Sequence, residues 1–298
     1  MINKKLKIGT RGSKLALWQA EHVRTLLSKA NPEFDFEIVV IKTTGDEFGI
    51  AGGTKNVFIK EIEDALLNKK IDLAVHSLKD MSSKRTNGLT ITSYLGGASR
   101  MDVLISNGNI NIKALPKGAR MGTGSNRRIA QVKLMRNDLI ILPIRGNVDT
   151  RLRKLESGEY DAIILAEAGL ERLGLKDRIS YTFSVDEIVP AAGQGIIALE
   201  TRSNDTELLN ITKKINDTSV EIAAQIEFNF MKILGADCNV PLGVHAYIKG
   251  ETITTTVFFS TDNKNIKFEK SFDIKNADKI PNTLIETLNT FKKNDKSN

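Results

Sequence analysis

The sequence predicts an α/β protein: two doubly wound domains followed by a small α+β domain at the C-terminus. Three observations carry this. Apolar runs of strand length alternate with helical periodicity as far as Leu199. A strand, a Gly-Thr turn and a helix start occur twice, over residues 7–13 and 120–125. From about Asp217 the texture changes to one helix, three alternating apolar segments and a last helix.

Residues 6–8 open as a strand that breaks at Gly9-Thr10-Arg11-Gly12-Ser13. Ser13 is a good N-cap for the next helix. There Leu15, Trp18, His22, Leu26 and Ala30 recur at helical spacing, which makes His22 a helix-face residue rather than a ligand. A strand over 36–43 follows, then a Gly-rich loop over 49–56 and a helix over 57–68 with Ile59, Ile62, Ala65 and Leu66 inward. The apolar run 71–75 closes a βαβ-type unit, so the sheet is expected to be mainly parallel. Just beyond it stand His76-Ser77-Leu78-Lys79-Asp80. In open α/β sheets that position, past the carboxyl end of a strand, is where ligands bind.

The same grammar then returns. Gly122-Thr123-Gly124-Ser125 matches Gly9 to Ser13, Arg145-Gly146-Asn147 echoes Thr44-Gly45-Asp46, and Asp161-Ala162-Ile163 echoes Asp72-Leu73-Ala74. The spacing between paired segments shortens along the chain, so this is not a fixed-period solenoid. Pro190-Ala191-Ala192-Gly193-Gln194-Gly195 marks a return crossing into a strand over 196–199. The C-terminal part is expected as a helix over 220–234, strands over 244–248, 253–259 and 266–272, and a helix over 281–291. The domains are therefore expected over 1–96 with 196–216, over 97–195, and over 217–298.

A formal charge of +7 points to an anionic partner or substrate, with lysine-rich solubility as the plainer explanation of the same number. The single cysteine excludes an internal disulfide and suits a reducing compartment. Residues 1–7 carry charge without an apolar stretch, and no run approaches the ~18 apolar residues of a membrane span, so a cytoplasmic protein is expected. The histidines and the cysteine lack zinc spacing, so no metal is expected. No Walker motif, dinucleotide fingerprint or RNA-binding aromatic pattern is present, and no nucleic acid or membrane partner is expected.

Two helix starts, at Ser13 and Ser125, follow glycine-containing turns of the kind that bind anions. Arg127 and Arg128 reinforce the second and Arg11 lies inside the first, while Arg145, Arg151 and Arg172 flank strand tips. Lys55 and Lys60 flank the entry to the helix before the central strand. Planar guanidinium forks gathered in strand-tip loops suit a ligand with several carboxylates or phosphates. Any one of them alone also reads as a surface ion pair worth ~0–1 kcal/mol, a reading that fits Arg153 and Arg178 better than Arg127 and Arg128, which follow an anion-binding turn. The only thiol, Cys238, sits on a loop between Gly235 and Pro241.

Taken together and in order, Lys7-Ile8-Gly9-Thr10-Arg11, Leu15-Ala16-Leu17-Trp18-Gln19-Ala20, Val75 to Asp80, Arg145-Gly146-Asn147-Val148, Pro190 to Gly195 and the Cys238 loop closely resemble the porphobilinogen deaminase (hydroxymethylbilane synthase) family of tetrapyrrole biosynthesis. The resemblance covers essentially the whole chain. It implies two domains like bacterial solute-binding proteins, a third small domain, a monomer, and a dipyrromethane cofactor on Cys238 through a thioether. Four porphobilinogen units are then joined head to tail with loss of ammonia, and water releases hydroxymethylbilane. It assigns Asp80 as the catalytic carboxylate, stabilising positive charge at a pyrrole nitrogen. It places Lys79, Asp80, Ser125, Arg127, Arg128 and Gly146 with Cys238 at the cofactor. Arg11, Ser13, Lys55, Ser77, Arg145, Arg151, Arg172 and Gln194 are assigned to the substrate carboxylates.

The chain also departs from the family. Ala236-Asp237 replace the usual Gly-Gly before the cysteine, and an adjacent Asp should raise the thiol pKa and slow attachment. Gly52-Gly53-Thr54-Lys55-Asn56 replaces a shorter Gly-Gly-Lys-Gly loop. Gly97-Ala98-Ser99-Arg100-Met101-Asp102 replaces a run that usually contains a proline, as does Met81-Ser82-Ser83-Lys84 after Asp80. Two other classes compete: a solute-binding module in which Cys238 is an inert thiol, and a nucleic-acid binder whose affinity would fall steeply with salt.

Overall fold

The computed structural model describes residues 4–43, 59–236, 240–261 and 264–293. It separates into two compact units, one of residues 1–98, 171–174 and 195–221, the other of residues 99–170, 175–194 and 222–298.

In the first unit β1 (Lys4–Thr10) leads through the Ser13 cap into α1 (Lys14–Ala30), and β2 (Phe34–Val40) returns beside β1. Next come α2 (Lys60–Leu67), β3 (Leu73–Ser77) and β4 (Leu89–Leu95). Much later, β10 (Ile197–Arg202) and α6 (Thr206–Lys213) join the same unit. The sheet order is β2-β1-β3-β10-β4. Strands β1, β2 and β3 are parallel, whereas β10 is antiparallel to both neighbours. The expected mainly parallel sheet is thus mixed, because β10 arrives by a return crossing rather than through a covering helix.

Apolar residues cover both faces. Leu6, Ile8, Leu73, Val75 and Leu199 pack under α1 and α6, while Ala74 and Leu89 pack under Ile62, Ala65 and Leu66 of α2. The α1 stripe is Gln19, Ala20, Val23 and Leu27, one residue round from the spacing that includes Trp18 and His22. Gly9 lies so close to α2's neighbour Ile71 that a Cβ there would be 2.2 Å from its Cδ1.

The second unit repeats the plan. Its strands are β5 (Asp102–Ser106), β6 (Arg120–Gly122), β7 (Ile140–Leu142), β8 (Ala162–Ala166) and β9 (Tyr181–Thr182). Its helices are α3 (Asn126–Met135), α4 (Val148–Glu156) and the start of α5 (Glu167–Arg172). The order β7-β6-β8-β5-β9 again has three parallel strands and one antiparallel insert, here β5. The correspondence reaches single atoms. Asp72 accepts from the Lys7 amide at 2.8 Å, and Asp161 accepts from the Arg120 amide at 2.7 Å.

The same unit contains α7 (Thr218–Leu234) from Ile222 onward, an antiparallel sheet β11 (Leu242–Lys249), β12 (Thr252–Ser260) and β13 (Asn265–Asp273), and α8 (Ile280–Lys293). Ile280, Leu284 and Leu288 form the buried stripe of α8 at four-residue spacing. Among the described residues no helix is long and apolar enough to cross a membrane.

Candidate active site

The first cluster is built on the carboxyl ends of β1 and β3, which pair in parallel with Gly9 opposite Ala74. That register brings the Arg11–Ser13 turn and the Ser77–Asp80 segment to one edge of the sheet. Leu78, Lys79 and Asp80 form a single 3-10 turn. Leu78 is wholly buried and its amide donates to the Ile196 carbonyl at 3.0 Å, while Met81 is buried on the other side. These two anchors hold Lys79 and Asp80 between them at the half-buried surface.

Ser77 exchanges hydrogen bonds with the buried Gln19 of α1, the Gln19 Nε2 donating at 2.9 Å. Gln19 therefore ties the helix to the strand tip. Sequence reasoning passed over it, since a glutamine on a buried helix stripe leaves no signal except its position in that stripe. Ser13 caps α1 by accepting from the Ala16 amide at 3.3 Å. Arg172 is buried, donates from Nη2 to the Gly195 carbonyl at 2.6 Å, and lies 5.8 Å over the Trp18 ring. Burial pulls its pKa down to about 10, so it keeps its charge at neutral pH. Trp18 is stacked on His22 at 5.1 Å. Burial, then the charge of Arg172, lowers the His22 pKa.

Behind the same tip, His76 Nε2 lies 3.1 Å from Oε2 of Glu200, both buried. Glu200 comes from the inserted strand β10.

The second cluster sits at the start of α3. Ser125 caps the helix, accepting from the Arg128 amide at 3.5 Å. Arg127 and Arg128 are not spread over the surface; both are buried on Asp102, the first residue of β5. Arg127 donates from Nη1 to Asp102 Oδ2 at 2.6 Å and to the Val189 carbonyl at 2.7 Å. Arg128 donates from Nε and Nη2 to Asp102 Oδ1 at 2.9 and 2.6 Å, and from Nη1 to the Ile164 carbonyl at 2.8 Å. Burial alone would raise the Asp102 carboxyl, but the two guanidiniums overcome it and hold it well below the usual carboxylate range. Burial likewise lowers Arg128, against the pull of Asp102.

Gln194 is buried in this cluster, donating from Nε2 to the Arg100 carbonyl at 2.8 Å and to Asp102 at 3.2 Å. Its Oε1 is buried with no partner among the described residues. Arg145 is exposed. Gly146 has φ +110°, where a side chain would be strained and its Cβ would come within 2.7 Å of Thr150. Its carbonyl accepts from Arg151 Nε at 2.7 Å.

A buried brace stands beside this cluster. Glu227 of α7 accepts from Arg100 at 2.5 Å, from the Gly193 amide at 2.8 Å and from the Ala246 amide at 2.7 Å. His245 Nδ1 lies 4.0 Å from Glu227 without a hydrogen bond; burial, then Arg100, lowers its pKa to about 3, so it is neutral there. Lys55 and Cys238, with its neighbour Asp237, lie outside the described residues.

The described candidates thus fall into two groups of different chemistry. One presents a carboxylate and a lysine at a strand tip. The other buries two guanidiniums against one carboxylate at a helix start.

The sequence profile of the family described as "Porphobilinogen deaminase, dipyromethane cofactor binding domain" matches residues 6–210. A porphobilinogen deaminase of Carboxydothermus hydrogenoformans is 42% identical over 295 residues, covering 97% of this chain and 95% of that one. One from Syntrophomonas wolfei is 45% identical over 249 residues, 82% of this chain and 81% of its own. Among solved structures, the VFT2 domain of Bordetella pertussis BvgS aligns with 71% of this chain and 85% of its own, at TM-score 0.44 and 16% identity.

Proposed function

The chain belongs to the porphobilinogen deaminase family, and on that premise we propose how its residues divide the work. Its activity is that of a porphobilinogen deaminase in tetrapyrrole biosynthesis, with a dipyrromethane cofactor. The reaction proposed in detail is the head-to-tail joining of four porphobilinogen molecules, with loss of ammonia at each step and hydrolysis to hydroxymethylbilane. When bound, the dipyrromethane supplies the nucleophilic pyrrole carbon on which the chain is extended.

Asp80 is assigned the catalytic role. Fixed between buried Leu78 and Met81, it stands ready beside a pyrrole nitrogen and stabilises the positive charge that develops there. Preorganised groups of this kind contribute about 3–4 kcal/mol to the transition state. Asp80 also takes and returns the proton that the pyrrole exchanges. Cys238 is assigned the thioether, with Lys79, Ser125, Arg127, Arg128 and Gly146 holding the cofactor. Arg11, Ser13, Lys55, Ser77, Arg145, Arg151, Arg172 and Gln194 are assigned to the acetate and propionate groups of the added rings. Charged hydrogen bonds of this type contribute about 1.5–3 kcal/mol each.

One observation supports this reading most strongly. Among the described residues Arg127 and Arg128 share a single carboxylate, so their buried cluster is one negative charge short. They lie in the first turn of α3, at the positive end of its dipole, and that turn contains no acidic residue. A ligand bearing carboxylates fits that deficit. The domain boundaries expected from sequence, a monomeric state and a cytoplasmic location are part of the same proposal, and light scattering checks the monomer.

The direct test is intact-mass spectrometry of the purified chain. The expected result is extra mass equal to two linked pyrroles, absent from Cys238→Ala. A bare polypeptide mass from a host rich in porphobilinogen would overturn the assignment of Cys238.

A further inference from the structure

We propose that Asp102 is a positioning residue for the cofactor, the fixed carboxylate that aims Arg127 and Arg128 at its side chains. The inference rests on the reading that this arginine pair serves the dipyrromethane.

Asp102 is wholly buried and cannot drift. Its backbone belongs to β5, opposite Ala166 of β8, and its carbonyl accepts from the Phe183 amide at 3.0 Å. Both of its carboxylate oxygens are engaged, and Gln194 Nε2 adds a further donor. Each guanidinium is then fixed at a second point on rigid backbone, Arg127 at Val189 and Arg128 at Ile164. Two anchors per planar group fix its plane as well as its position.

The same arrangement leaves binding capacity over. A guanidinium carries five N–H groups. Three hydrogen bonds from each arginine are made within the described residues, so both keep N–H groups for a second anion. A carboxylate that only offset charge could be replaced by any anion nearby. One that aims it must stand at this place on the sheet.

The test separates charge from aim. Asp102→Asn removes the charge and keeps the shape; Asp102→Glu keeps the charge and moves it outward by one methylene. Both are purified, the folded fraction is isolated by size exclusion, and dipyrromethane occupancy and its rate of attachment on adding porphobilinogen are read by intact mass. The expected result is attachment slowed about tenfold or more in each, as for the loss of a charge-assisted hydrogen bond. Folded Asp102→Glu loading within twofold of wild type overturns the inference, and should that variant not fold, Asp102→Asn loading at that level does so. The double variant Arg127→Gln, Arg128→Gln distinguishes the two readings. If it loads normally, the arginine pair does not serve the cofactor at all. If it fails to load while the Asp102 variants load normally, only the role of Asp102 is wrong.

Discussion

The two α/β sheets are the same scaffold giving a buried carboxylate different partners. Their strand orders correspond, both insert one antiparallel strand at the same place, and Asp72 and Asp161 make the same bond to the neighbouring strand. Each inserted strand also contributes one buried carboxylate. In the first sheet Glu200 faces a single imidazole, His76. In the second, Asp102 faces two arginines and the cluster is net positive. The two sheets keep one plan while their buried groups differ: one carboxylate faces an imidazole behind the tip that carries Asp80, the other faces two guanidiniums at a helix start.

The largest effect is expected on the first side of that comparison. Asp80→Asn should keep the fold and the cofactor while turnover falls by about 10²–10³, the range for a lost transition-state electrostatic group. Porphobilinogen consumption measures it, and turnover within threefold of wild type would remove Asp80 from the mechanism. On the second side, Asp102→Ala leaves two buried guanidiniums without their carboxylate. A loss of about 3 kcal/mol in urea unfolding is expected, as for other broken buried pairs. A loss below 0.5 kcal/mol, well under that order, would mean the cluster is not the structural centre of its sheet.

The acid response should also differ with place. His245 has a folded pKa of about 3, below its unfolded 6.5. The unfolded chain therefore binds the proton first, so this contribution is full above pH 6.5 and is lost as pH falls toward 3. Melting temperatures between pH 7 and 4 should fall less steeply in His245→Leu than in wild type; identical slopes would exclude it as a source of acid lability. His22 is shifted the same way, by burial and then Arg172. Trp18 is the chain's one tryptophan. Its emission should therefore change with a midpoint below 6.5, a change that His22→Leu removes. Trp18→Leu takes the ring from Arg172, a contact of about 0.5–1 kcal/mol, and should raise KM a few-fold with kcat changed less than twofold. The smallest effects belong to the caps. Ser13→Ala and Ser125→Ala should each cost about 0.5–2 kcal/mol in unfolding free energy.

Much of this was legible because local rules produce it. The Gly-Thr turns, the serine caps and the alternating segments of the last sheet are short-range patterns, and the strands β11, β12 and β13 each include the predicted segment. The placing of Lys79 and Asp80 beyond β3 followed from the apolar run before them. The direction of β10 and β5 was not legible, since a strand's sense is set by the path of the chain and not by its residues. Arg127 and Arg128 were read as anion ligands at a helix start without their partner. Asp102 lies on a strand 25 positions before Arg127, which is on a helix, and no spacing rule connects them. The buried stripe of α1 lies one residue round from the apolar spacing because polar Gln19 is buried while Trp18 remains 38% exposed.

The place of β10 has a consequence for the order of assembly. It lies between β3 and β4, yet follows every strand of the second sheet in the chain. As the polypeptide emerges from the ribosome, the later-coded sheet can close while the earlier one still has a vacant slot. The strand leading to Asp80 stays an open edge until residues 197–202 arrive, and a nascent chain halted before them would hold one finished sheet and one unfinished.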